Sequence, residues 1–181
     1  MDLFIILKII YFLLPGIFAN ILPVFFKRIS FLNYPVDFGI YFGKERLFGD
    51  HKTFRGFFFG ILGSIVFVFL QRLLYSFEIF KNFSLINYIT VNFLVLGFLF
   101  GFGVLFGDLF GSFLKRRFGF RSGESFYILD QINGGLGIAF FVLPFYFKEL
   151  NLILLIILLW TLGHFFIKYL GYLLGIEKKR I

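Results

Sequence analysis

The sequence predicts an all-α integral membrane protein with five transmembrane helices, and three observations predict it. First, 60% of the 181 residues are hydrophobic and the mean hydropathy is +0.93, against about 45–50% apolar in an ordinary soluble domain. Second, the apolar residues fall into runs of about 20, the length a helix needs to cross a bilayer core. Third, the charged residues, 15% of the chain, are gathered mostly between those runs. The absence of Cys excludes a disulfide framework and a thiolate metal centre. The net charge of +8 and pI of about 9.8 come from short basic segments between spans. That pattern reads as a topology signal and an attraction for anionic membrane lipids, and not as a nucleic-acid surface.

The first run, Leu3 to Phe26, has neither a basic leader nor a small-residue cleavage site, so it is expected to be a retained span. Pro15 and Pro23 each remove a backbone donor and should kink it. Lys27 to Arg55 is a polar loop with six basic residues, with Asp37, Glu45, Asp50 and His51, and with Gly39, Gly43 and Gly49 for tight turns. A loop of that length is usually functional or disordered, and its mixture of aromatic and polar residues predicts order. Gly56 to Phe77 is the second run, where Gly56, Gly60 and Ser64 recur every fourth residue, a spacing that lets another helix approach closely. A short connector, Glu78 to Leu85, precedes the third run, Ile86 to Phe113, in which Gly103, Gly107 and Gly111 repeat the same spacing. The fourth run spans Phe126 to Phe147 and the fifth Leu150 to Leu174; a basic tail, Lys178, Lys179 and Arg180, follows. These glycine stripes would also permit contact between two copies of the chain.

The stretch from Gly107 to Gly135 joins the third and fourth runs through a basic loop over about 114–126. Asp108 and Asp130 stand at its two ends, each at the edge of an apolar run, where an ionised carboxylate is costly. Asp108, Gly111, Ser112, Lys115 and Arg116 follow helical spacing and share one face, which leads from an acid to a basic rim. Mg²⁺ is typically held by one or two carboxylates together with substrate phosphates, so Asp108 and Asp130 are the candidate metal ligands. Lys52, Arg55, Lys115, Arg116, Arg117 and Arg121 are the candidate phosphate partners, Arg by forked bonds and Lys as a point charge. Singly, each feature has a plainer reading. A carboxylate at a span edge can simply pair with a nearby Arg, a basic cluster can simply set topology, and His164 in the fifth run can be an interhelical polar contact. The combination on one membrane face is what points to a site.

The residues also carry a family resemblance. The first loop, PVDFGIYFGKERLFGDHKTFRG from Pro35 to Gly56, resembles the D-x-G and F-G-D-x-K-T-x-R-G pattern of CDP-archaeol synthases, archaeal relatives of the phosphatidate cytidylyltransferases. GDLFGSFLKRRFGFRSG, followed by Leu129-Asp130-Gln131, is similar to that family's second block. The resemblance covers most of the chain from Pro35 to Gly137 and implies a single membrane-embedded cytidylyltransferase domain over residues 1–181. It implies Mg²⁺, CTP and an isoprenoid ether-lipid phosphate, 2,3-bis-O-geranylgeranylglycerol 1-phosphate, giving a CDP-lipid and pyrophosphate. Carried over by position, Asp108 and Asp130 are metal ligands and, with Lys52, Arg55, Lys115 and Arg116, catalytic residues; Asp37, Asp50, Thr53, Ser112, Arg117, Gln131 and Asn133 belong to substrate binding. There is one departure: Asn133 stands where the family usually has a second Asp, which places a second metal position in question.

With five spans, both basic loops and the tail fall on one side. The positive-inside rule makes that side the cytoplasm, with the N-terminus outside, the C-terminus inside and the site facing the cytoplasm from the cell membrane. Three alternative functions share parts of this pattern. A CDP-diacylglycerol synthase would act on phosphatidate, and the residues do not separate ester from ether tails. A small ion-coupled transporter would use Asp108 as a coupling site, but the acids lie toward one face. A CDP-alcohol phosphotransferase needs a D-G-x-x-A-R signature that the sequence lacks.

Overall fold

The computed structural model describes residues 2–122, 124 and 126–173. Four of its helices are long and apolar enough to cross a membrane: α1 (Leu3–Phe25), α2 (Phe54–Leu74), α4 (Phe93–Arg117) and α7 (Leu150–Leu173). Between them lie a two-stranded hairpin, β1 (Tyr41–Phe42) with β2 (Glu45–Arg46), and the short helix α3 (Glu78–Asn82). The fourth apolar run forms two pieces, α5 (Tyr127–Phe141) and the single turn α6 (Leu143–Tyr146). The 15 residues of α5 rise about 22 Å at 1.5 Å each, short of a hydrocarbon core of about 30 Å. The run breaks after Phe141 because Pro144, in the first positions of α6, has no amide to continue the ladder. The expected basic tail, Lys178 to Arg180, lies outside the described residues.

Local chemistry sets the helix boundaries. Asp2, Thr53 and Asn92 cap α1, α2 and α4 by accepting backbone amide hydrogens of the first turn. The Asn92 cap moves the start of the third span from the expected Ile86 to Phe93, because Asn87 and Asn92 turn the chain between them. At the other end, α4 runs to Arg117, so Lys115, Arg116 and Arg117 form its last helical turn and not the start of a loop. Cations there complement the helix dipole.

Helix α4 is the axle of the bundle. One face, carrying Gly97 and Gly101, lies against the backbone of Ile65 and Ile61 in α2. A second face, carrying Gly103, Gly107 and Gly111, lies against Gly137 and Asn133 in α5. At Gly107 a β-carbon would collide with the Asn133 carbonyl oxygen, so this crossing requires glycine. The stripes foreseen in the sequence are therefore used within the chain. Phe12 of α1 packs edge-on against Phe100 and Phe147, with centroids 5.0 and 5.3 Å apart, and anchors the apolar interior.

Helix α1 is continuous through both prolines. Pro15 cannot donate to the carbonyl of Tyr11, four residues earlier, and that oxygen accepts a hydrogen bond from Gln71 Nε2 of α2 at 2.6 Å instead. Gln71 is fully buried, and this carbonyl is the reason a polar side chain sits inside an otherwise apolar span.

Candidate active site

The loop between α1 and α2 is built on Asp37. One of its carboxylate oxygens accepts the Gly39 amide at 3.1 Å and a bond from Arg46; the other accepts the Phe48 and Gly49 amides, both at 3.1 Å. The side chain is completely buried. Burial alone would raise its pKa, but Arg46 and the three amides outweigh burial and lower it to about 2. Gly39, Gly43 and Gly49 all have positive φ, as a chain turning this tightly requires. The loop docks back on α2, with Val36 donating to the Lys52 carbonyl at 2.8 Å and a bridge between Pro35 and Thr53.

The two loops meet. A β-carbon on Gly49 would lie 2.8 Å from Ser122 Oγ, so glycine is what permits the contact as well as the turn. Arg117 bonds the Arg46 carbonyl at 3.0 Å, and its guanidinium lies 4.9 Å from the ring centres of both Phe42 and Phe113. The hairpin is thereby held to the end of α4.

Beneath this roof is a cavity of about 260 Å³, lined from α4 by Asp108, Ser112, Lys115 and Arg116, and from α5 by Asp130. Lys52, His51 and Phe48 reach it from the first loop, Ser122 and Glu124 from the second, and His164 and Lys168 from α7. Asp108 and Asp130 each have a lysine partner. Lys52 pairs with Asp108, tying the loop to α4, and Lys115 pairs with Asp130 at 2.7 Å, tying α4 to α5. The second oxygen of Asp130 accepts the Phe126 amide at 3.0 Å, and Lys115 also donates to the Glu124 carbonyl at 3.1 Å. Arg116 is almost fully buried, donates to the Phe120 carbonyl and leaves its buried Nε without a partner among the described residues.

The cavity thus collects six of the residues singled out in the sequence: Lys52, Asp108, Ser112, Lys115, Arg116 and Asp130. Eight others lie outside its lining, among them Arg121, which is exposed. Asp37 staples the loop, and Asp50 pairs with Arg46 on the exposed surface. Thr53 caps α2 by accepting the Gly56 amide. Arg55 holds the Ile29 carbonyl, and Arg117 clamps the hairpin. Asn133 packs into the α4–α5 interface against Gly111, and Gln131 faces α7. The placement of Asn133 bears on the departure noted above, because this side chain belongs to helix packing and not to the cavity wall. The contribution of α7 was not foreseen, although His164 and Lys168 are ionisable residues inside an apolar run, which is itself a signal. The interhelical contact expected of His164 is present, with Nδ1 2.7 Å from Gln131 Oε1.

A divalent metal can be tested against this donor set. Among the described residues no three His, Asp or Glu side chains cluster closely enough to hold an ion by themselves. Two carboxylates on separate helices, with cations beside them, do fit an ion that completes its shell with water and phosphate oxygens.

Fold and cavity together define a polytopic membrane protein that gathers acids and cations at one end of its bundle, the equipment of an enzyme that handles phosphates. The comparisons give the class a family. A family model described as CarS-like, CDP-archaeol synthase, matches residues 2–180. The CDP-archaeol synthase of Methanococcus maripaludis strain C7 is 34% identical over 98% of both chains, and that of Archaeoglobus fulgidus is 37% identical over 96% of both. A solved structure described as an intramembrane enzyme for archaeal membrane lipid biosynthesis superposes with a TM-score of 0.68 at 25% identity, over 88% of this chain and 91% of that one. The chain belongs to the CDP-archaeol synthase family.

Proposed function

We propose that this chain transfers CMP from CTP to the phosphate of an isoprenoid ether lipid, forming a CDP-lipid and pyrophosphate. The single observation that carries the reading is the chamber in which Asp108, Asp130, Lys52, Lys115 and Arg116 converge from two helices and a loop. An oxygen of the lipid phosphate forms a bond to the α-phosphorus of CTP as the bond from that phosphorus to the β-phosphate oxygen breaks. The attacking oxygen is already ionised, so no side-chain nucleophile or base is required. The difficulty is repulsion between two polyanions, and the chain answers it with fixed cations in a partly dehydrated chamber. Lys52 and Lys115 offset phosphate charge, and Arg116, whose Nε has no partner among the described residues, can donate a charge-assisted bond to an oxygen. Asp108 and Asp130 would hold Mg²⁺, which when bound neutralises charge on the triphosphate and the leaving pyrophosphate. Asp37, Arg55 and Arg117 act by holding the roof over these groups.

The same reading places five spans in the cell membrane, the fifth crossing being α5 with α6, and turns the cavity toward the cytoplasm on the strength of the basic loops. The position of the acids at the bundle's end, each beside a lysine, favours an enzyme over an ion-coupled transporter.

The test is purified protein in lipid nanodiscs with labelled CTP, Mg²⁺ and either the ether-lipid phosphate or phosphatidate. Asp108→Asn and Asp130→Asn are each expected to lower CDP-lipid formation by a hundredfold or more, with unchanged helical content. Full activity in both variants would remove the assignment of these acids. Preference for phosphatidate would move the substrate to the ester series.

A further inference from the structure

We propose that His164 and Lys168, on α7, form the docking point for the phosphate of the lipid substrate, as distinct from the triphosphate; this rests on the cytidylyl-transfer reading above. The two residues lie four apart, so they share a face, and both line the cavity. Among the described residues they are its only lining from α7, the helix that packs least of the four long ones, with 11% of its apolar window buried. The rest of the wall comes from α4, α5 and the two loops, which close the chamber toward its charged end. A lipid phosphate must reach the same chamber from the bilayer, and the helix most open to the bilayer is the one that carries these two polar groups.

Their bonding points the same way. Lys52 and Lys115 already pair with Asp108 and Asp130, whereas Lys168 has no carboxylate partner among the described residues. It is a half-buried ammonium on an apolar helix, and an anion in the cavity would meet its charge. His164 is held by two contacts. Its Nδ1 lies 2.7 Å from Gln131 Oε1, and its ring stacks on Trp160 with planes 6° apart and centroids 6.4 Å apart. Trp160 is in turn wedged against Gly134 and Gly135 of α5. The ring is therefore fixed in orientation beside Asp130's helix, leaving its Nε2 edge for a ligand. Gln131 is a positioning residue in this scheme, while His164 and Lys168 touch the substrate.

The chain contains one Trp, and it abuts His164, so its fluorescence reports on this wall without turnover. Full-length protein in nanodiscs is titrated with the ether-lipid phosphate, and separately with CTP, with inorganic phosphate and with glycerol phosphate as tail-less controls. The lipid phosphate is expected to give a saturable change in Trp160 emission. Lys168→Gln should weaken that binding about tenfold or more, the scale of one charge-assisted bond, and His164→Asn should weaken it several-fold. Neither should change CTP affinity by more than about twofold, and Lys168→Arg should restore most of the lipid affinity. In turnover the same variants should raise KM for the lipid with KM for CTP unchanged. Loss of CTP affinity, unchanged lipid affinity, equal affinity for inorganic phosphate, or no saturable response in the wild type would each overturn the assignment. A wild type that binds the lipid phosphate through these residues yet makes no CDP-lipid would sink the reaction and leave the docking point standing.

Discussion

At the scale of single residues, the charges divide into two kinds of work. Lys52, Asp108, Lys115 and Asp130 meet in the cavity, while Asp37 and Arg46 build the loop that roofs it. Asp108 and Asp130 were legible in the sequence because ionised groups at span edges are costly and so informative. The work of Asp37 was not, since four acceptor bonds to residues 39, 46, 48 and 49 leave no periodic trace. Its lowered pKa has a definite consequence. A carboxylate whose folded pKa lies near 2, below its unfolded value near 4, contributes stability above about pH 4 and loses it as pH falls toward 2. Asp37→Asn should lower thermal stability at pH 7 and flatten its acid dependence between pH 4 and 2; an unchanged acid profile would mean that the staple carries no such weight.

At the scale of elements, sequence periodicity gave α4 its polar face correctly, and the glycine stripes did mark close helix crossings. What it missed were boundaries set by events that hydropathy does not register. Asn92 delays the start of α4, Lys115 to Arg117 extend its end, and Pro144 cuts the fourth apolar run in two. Two predictions belong here. Gly107→Ala should push α4 and α5 apart, destabilising the protein by about 1–3 kcal/mol and lowering activity, whereas Gly163→Ala, which has open space around it, should not. Gln71→Leu keeps the volume but strands the Tyr11 carbonyl, at a cost of about 1–3 kcal/mol. Detergent melting curves compare these variants, and a Gln71→Leu protein as stable as the wild type would show that the carbonyl has another partner.

At the scale of the whole molecule, the loop ends of α1, α2, α4 and α5 gather on one side, and with them every cavity residue except the pair from α7. This gathering was the central expectation from the sequence, and the two loops do touch, at Gly49 with Ser122 and at Arg117 with Arg46. The part played by α7 stayed hidden because two polar residues among apolar ones carry no address: only tertiary packing says which wall they face. Because the chain has no Cys, orientation is open to a clean test. In intact spheroplasts, Lys44→Cys in the hairpin turn should resist a membrane-impermeant maleimide, and Asn82→Cys at the opposite end should react. The reverse pattern would turn the site to the outside.

The amide of Gln71 that completes the turn at Pro15 also bears on how the chain is made. As α1 leaves the ribosome and moves into lipid, its Tyr11 carbonyl has no donor, and hydrocarbon supplies none. The defect is repaired only when the next span follows it in, so the first two helices should partition into the bilayer as a coupled hairpin, with the growing chain held near the translocon until the second arrives.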